Sequence, residues 1–280
     1  MGSLRVYVSA DMEGVAGVVS PRQAGVEGDE YRAACALMVG EVNAAVEAAL
    51  QAGASLVVVN DGHGNMRNLA PAALHKEARL ISGEFKPLSM MEGVGGGFDA
   101  ALLIGYHSRA GSPGVIDHTY SGRTVLDVKL NGRPVGETGI NAGVAGFFGV
   151  PVVMVSGDSV VAAEARELLG PVETAVVKEP AGRLAASSLS PARAQEEIRA
   201  AVARALSPGG ALGRVKPLVF PAPVTVEVSF MTTAMADSAC LIPGVEAVAP
   251  RQVRFTGGDY LTAFRCLRAM ITLAYVTIPS

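Results

Sequence analysis

Basic runs, long apolar stretches and paired cysteines are all scarce in this sequence, and each scarcity closes off a class of function. Only three cysteines occur in 280 residues, Cys35, Cys240 and Cys266, widely spaced and odd in number. They lie in apolar, helix-like stretches, which fits reduced core thiols better than disulfides or a cysteine-based metal site. Charged residues make up 18% of the chain against 50% hydrophobic, and the formal net charge is -3 with no basic run. Nucleic acid and anionic membrane therefore have no electrostatic footprint to meet. A small molecule or peptide is the expected partner. No uninterrupted apolar run approaches the roughly 20 residues of a bilayer-spanning helix. The opening MGSLRVYVSAD has no extended apolar signal core and no small-residue cleavage site, so a soluble, cytoplasmic protein is expected. High apolar content with few charges also predicts a homo-oligomer, because obligate interfaces resemble opened cores.

What is present is a repeating alternation of β-branched runs with alanine-rich stretches, the pattern of a parallel sheet covered by helices. Strands are expected at Arg5 to Ser9, Leu56 to Asn60, Ala100 to Gly105 and Pro151 to Ser156. Apolar residues at three-to-four spacing predict a helix from Asp29 to Gln51, with Gly53 placed to end it, and a second from Glu137 toward Phe148. Asn131-Gly132 is a turn signal between extended stretches. Beyond about residue 180 the texture changes. Ser187 to Pro191 reads as a loop, Pro191 to Leu206 as an amphipathic helix, and PGGALGR as a linker. The rest reads strand (Val224 to Phe230), helix (Ala234 to Leu241), strand (Gln252 to Thr256) and helix (Tyr260 to Ala274). The expected fold is α/β: a mostly parallel sheet flanked by helices over residues 1–185, and a smaller α+β domain over 186–280.

The chemistry-bearing residues follow the predicted strands. Asp11 and Glu13 in SADMEG stand one residue apart after the first strand, an arrangement that costs free energy unless a positive charge sits nearby. Of four histidines, His63 (VVVNDGHGN) follows the second strand, His107 (LLIGYHSRAG) the third, and His118 comes eleven residues later. The carboxyl ends of parallel strands share one edge, so Asp11, Glu13, His63 and His107 can converge there. Glu137 joins them from a helix start. Three carboxylates and two neutral imidazoles suit zinc, manganese or iron(II), and two cations roughly 3.5 to 4 Å apart would use them all. Blander readings exist for each residue alone: the carboxylates can cap a turn, and either histidine can be a satisfied loop residue. His75, in a polar helix-like segment, is given no role. The glycines of EGVGGGFD precede a strand instead of following one, so they are not a dinucleotide loop. There is no G-x-S-x-G elbow, and no cysteine lies near a histidine.

The ordered motifs SADMEG, VNDGHGNM, LISGEFKPLSMMEG, GYHSRAGSPGVIDHT and NGRPVGETGINA span most of the first 160 residues. Together they resemble the D-aminopeptidase family of zinc metallopeptidases. The resemblance implies a Rossmann-like α/β domain followed by a smaller one, and a ring-shaped homodecamer enclosing a channel. It also implies two zinc ions held by Asp11, Glu13, His63, His107 and Glu137, with His118 catalytic and proposed as nucleophile. The implied reaction is hydrolysis of the N-terminal amide bond of short peptides beginning with a D-residue, such as D-Ala-D-Ala. Departures at Gly62 and Ser108 bear on substrate range. Chemistry alone leaves His118 open as base, acid or nucleophile. Asp117 is a candidate to orient its ring, and Asn141 and Lys86 to line or buttress the site. A peptide-binding component of dipeptide uptake is the alternative from another class, and would need an export signal or lipid anchor. A metallo-amidohydrolase acting on a non-peptide amide is a further one.

Overall fold

The computed structural model describes residues 3–278. Its elements in chain order are β1 (Leu4–Ala10), α1 (Asp29–Gln51), β2 (Ala54–Asp61), β3 (Ala78–Ile81), β4 (Ala100–Tyr106), β5 (Val125–Leu130), β6 (Arg133–Pro134) and α2 (Glu137–Phe147). There follow β7 (Val152–Asp158), α3 (Ser159–Leu169), β8 (Glu173–Gly182), β9 (Ala185–Ser188), α4 (Pro191–Leu206) and α5 (Ala211–Arg214). The chain closes with β10 (Val224–Phe230), α6 (Thr233–Ala239), β11 (Glu246–Ala249), β12 (Gln252–Gly257) and α7 (Tyr260–Val276).

One sheet has seven strands in the order β3-β2-β1-β4-β7-β8-β9, all parallel except the last pair. Every residue of β4 and β7 is buried, which is why their sequences read as unbroken apolar runs instead of alternating. Strand order reverses between β1 and β4, the crevice where ligands bind in open α/β sheets. The second sheet is antiparallel, ordered β11-β12-β10-β5-β6. In β10 alternate residues are buried, the signature of a sheet with one covered face.

The α1 helix passes a length-and-hydropathy test for crossing a membrane, with a mean hydropathy of 1.5. Its apolar residues are instead spent inside the fold: Ala34, Met38, Val42, Ala45 and Ala49 are buried where it packs on the sheet and on α4. Helix α7 bridges the two sheets, touching α2 on one side and β10 and β12 on the other.

Several expectations are corrected. The stretch from Ser187, expected as loop, begins in β9, an edge strand pairing with β8. His75 sits in a turn between a short 3₁₀ segment and β3, half-buried, where its backbone N–H bonds the Asn43 side chain. The antiparallel sheet draws strands from both sides of residue 185. The β5–β6 hairpin, from the first half of the chain, completes the antiparallel sheet, while α4, from the second, packs on α1. Strand pairing across a hundred residues leaves no local trace for composition to report.

Candidate metal centre

The turn after β1 is built by close backbone approach. Asp11 N–H donates to the Ile104 carbonyl and Gly14 N–H to the Gly105 carbonyl, both at 2.8 Å, so the D-x-E-G stretch is pinned across the end of β4. A Cβ on Gly14 would lie 1.9 Å from the Tyr106 carbonyl oxygen, and one on Gly105 2.2 Å from that of Asp11. Gly105 also holds a φ of 72, a backbone conformation that glycine adopts without steric cost. These contacts aim the Asp11 and Glu13 side chains into the crevice.

The other ligand-type residues are framed in the same way. Asp61, at the end of β2, accepts from the backbone N–H groups of Asn68 and Leu69, and Asn68 Nδ2 donates to the His63 carbonyl at 2.7 Å. Lys86 donates to the Asp61 carbonyl and to Asn60 Oδ1, so it buttresses this loop from behind. His107 leaves β4 directly. The segment from Arg109 to Val115 is tied down by Glu164 and by Asp158, whose Oδ2 accepts from the Val115 N–H at 2.8 Å. Asp117, a candidate to orient His118, does not do so: its carboxylate is taken by Arg183 Nε and the Gly111 N–H. The Ile116 carbonyl orients the ring instead, 2.9 Å from Nδ1.

The structure brings all six residues together, although they span 127 positions from Asp11 to Glu137. His63 Nδ1 lies 3.1 Å from Asp11 Oδ1 and 3.0 Å from Glu13 Oε2. His107 Nε2 lies 3.2 Å from Glu137 Oε1 and 3.5 Å from Asp11 Oδ2. His118 Nε2 lies 3.7 Å from Glu137 Oε1 and 3.8 Å from Glu13 Oε1. The rings of His107 and His118 stack at 4.0 Å between centroids. His118 is half-buried at the cleft, while the other five are buried.

Each imidazole also has its second ring nitrogen on a backbone carbonyl: His63 Nε2 on Ala24, His107 Nδ1 on Ser108 and His118 Nδ1 on Ile116. A carbonyl only accepts, so those nitrogens carry the protons. In the neutral rings, the lone pairs of the remaining nitrogens then face carboxylate lone pairs. Asp11 Oδ2, Glu13 Oε2 and His107 Nε2 are buried with no hydrogen-bond partner. Such a set of facing acceptors is repulsive unless a cation or protons fill its centre.

Protons alone distort the titration of the cluster. Burial raises Asp11 and the Glu13 charge adds to it, to a pKa of about 7. Burial opposes protonation of His107, but Glu137 outweighs it and lifts the pKa to about 10. Glu13 and Asp11 likewise overcome burial and raise His63 well above the ordinary imidazole value. His118 goes the other way, lowered by burial and by neighbouring His107. Three overlapping sets, Asp11/Glu13/His63, Asp11/His107/Glu137 and Glu13/His107/His118, each offer ligand atoms within 4.8 Å of one another. Mixed oxygen and imidazole donors with orphaned lone pairs fit divalent zinc, manganese or iron.

The chain as a whole has relatives among known proteins. The model of peptidase family M55, D-aminopeptidase, matches residues 4–269. This chain belongs to the D-aminopeptidase family. It is 39% identical over 278 residues to a D-aminopeptidase of Bacillus subtilis (strain 168), covering 98% of this chain and 99% of that one. Among solved structures it resembles the Zn-dependent D-aminopeptidase DppA from Bacillus subtilis, described as a self-compartmentalizing protease. That likeness has a TM-score of 0.95 at 38% identity, over 99% of this chain and 100% of the other.

Within this member of the D-aminopeptidase family, Lys86 and Asn141 support the site from behind, and sequence reasoning missed three further supports, Tyr120, Lys178 and Glu41. Tyr120 N–H donates to Glu137 Oε1 at 2.6 Å, and its hydroxyl bonds Asn141 Oδ1 at 3.0 Å. Asn141 Nδ2 in turn donates to the Tyr106 hydroxyl, which settles it as a buttress. Lys178 in β8 is buried, and its ammonium donates to the carbonyls of Glu13, Val15 and Val18 at 2.5, 3.1 and 2.6 Å. Glu41 in α1 grips the same segment by accepting from the Ala16 N–H at 2.8 Å. A lone lysine inside the run AVVKEP was the available signal for the first of these.

Proposed function

We propose that this chain is a zinc-dependent D-aminopeptidase in which Asp11, Glu13, His63, His107 and Glu137 hold two zinc ions and His118 acts on the substrate. The observation that carries the reading is the convergence of buried, unpartnered acceptor atoms at the β1/β4 switch point. Bound there, divalent cations polarise a scissile carbonyl and offset the charge that develops on it in the transition state.

The chain's own residues then have distinct tasks. The backbone carbonyls of Ala24 and Ser108 fix the His63 and His107 rings with their free nitrogens inward. Glu137 is held by Tyr120 and Glu13 by the segment that Lys178 grips, so the carboxylates keep their places without flexible tethers. His118 holds its proton on Nδ1 against Ile116 and presents Nε2 to the cleft. Burial and His107 lower its pKa, so the ring is neutral near pH 7 and starts as base or nucleophile. As base, Nε2 takes a proton from the water whose oxygen adds to the scissile carbonyl carbon, and returns it to the leaving amine as the C–N bond breaks.

The cleft of ≈ 500 Å³ suits a short peptide. The relative's description as self-compartmentalizing supports a homo-oligomeric assembly for this chain too, and we carry the ring-shaped decamer and a cytoplasmic location with it. Elemental analysis of the purified protein, with alanine release from D-Ala-D-Ala and L-Ala-L-Ala, tests the reading. The expected result is two zinc equivalents per chain and faster release from the D-peptide. A protein without bound metal, or one that releases no alanine, overturns it.

A further inference from the structure

The cleft has a second wall that carries none of the ligand-type residues. Arg268, Ile271, Thr272 and Tyr275 of α7 all line it, and their i, i+3, i+4, i+7 spacing makes them one helix face. Arg268 is the one lysine or arginine among the described residues lining the cleft. Its guanidinium lies 4.7 Å from the centroid of the Tyr120 ring. It is half-buried, and among the described residues it has no carboxylate partner.

A guanidinium stacked on an aromatic face keeps its planar edge of N–H donors free for a bidentate acceptor. Tyr120 is the residue whose backbone N–H holds Glu137 and whose hydroxyl bonds Asn141. The ring that supports Arg268 is thus tied to the ligand cluster, and cation and cluster keep a fixed separation across one cavity. A short peptide lying with its scissile bond at the cluster has one anionic group of its own, the C-terminal carboxylate.

We propose that Arg268 binds the C-terminal carboxylate of the substrate and so selects free short peptides over peptides blocked or extended at that end. This rests on the peptidase reading above and adds to it a specificity-determining residue from the C-terminal helix.

The test compares zinc-loaded wild type with Arg268→Gln and Arg268→Lys on D-Ala-D-Ala and on D-Ala-D-Ala amide, reading kcat/KM for each. Wild type is expected to prefer the free acid by about tenfold or more, the size of one charge-assisted hydrogen bond. Arg268→Gln is expected to bring that ratio close to one, chiefly through KM, while Arg268→Lys keeps part of it. Equal losses on both substrates in Arg268→Gln overturn the proposal, since a purely structural role would produce them. The wild-type comparison decides the matter even if Arg268→Gln does not fold: equal rates on acid and amide overturn this inference alone. Absence of alanine release from both substrates overturns the peptidase reading, and this inference with it.

Discussion

The two sheets invite opposite conclusions from the same kinds of side chain. On the antiparallel sheet lies the roomier concavity, ≈ 830 Å³, lined by Glu227, Glu246, Arg254 and Thr256 among others. At the parallel sheet's edge the cleft is ≈ 500 Å³. In the larger hollow Arg254 already pairs with Glu246 at 3.3 Å, with both side chains well exposed. In the smaller one, carboxylates and imidazoles are buried with atoms left unpartnered. Chemistry follows unmet electrostatic demand, not volume: an exposed pair is satisfied by its partner and by water, whereas a buried acceptor cluster requires something else.

The strongest way to break this contrast is to remove a member of the buried cluster. Glu13→Ala and His107→Ala are each expected to lower kcat/KM by more than about a hundredfold and to lose at least one metal equivalent, read by elemental analysis. Wild-type metal content in both variants would leave the cluster without its assigned role. His118→Ala sharpens the contrast, because this ring is half-buried at the cleft. It is expected to keep its metal and lose about 10²- to 10⁴-fold in kcat, and loss of metal would move His118 into the coordination sphere.

A smaller effect is expected at Glu41, whose carboxyl is lifted by burial from an ordinary 4.5 to about 7. The folded state holds this proton more tightly than the unfolded chain. Its contribution to stability is therefore complete below about pH 4.5 and is lost as pH rises through about 7. Glu41→Gln keeps an acceptor for the Ala16 N–H and removes that loss. Thermal melts should show the variant gaining on wild type at pH 8, by at most about 3 kcal/mol, and matching it at pH 4.5. A pH-independent difference would refute the assignment. Least of all should Arg254→Ala matter: an exposed pair is worth about 0 to 1 kcal/mol, and kcat/KM should stay within twofold of wild type.

Much of this was legible in the sequence, for identifiable reasons. The cluster could be read because scarce histidines and paired carboxylates stood directly after strongly apolar runs, and strand ends in a parallel sheet share an edge. The α1, α4 and β10 bounds were expected as found, since caps, glycine and alternation are local signals. β8 was missed because ETAVVKEPAG mixes charge and proline into its run, and β9 because AASS reads as loop. α3 and the short edge strands β3 and β11 also went unread. The role of Arg268 was invisible for another reason: helical periodicity identifies a face but not what the face looks onto. Whether Asp117 orients its neighbour was open from sequence, because adjacent residues often point apart, and its carboxylate turns to Arg183.

The grip of Lys178 on the turn behind Glu13 spans 165 residues of sequence. Asp11, Glu13, His63, His107, His118 and Glu137 are all made before that lysine leaves the ribosome. Until β8 docks, the newly made turn lacks the ammonium that gathers its three carbonyls. A truncated chain ending before β8 would carry all six of these side chains without the ammonium that gathers the turn behind Glu13, so the arrangement of the cluster draws on a strand made after all of its members.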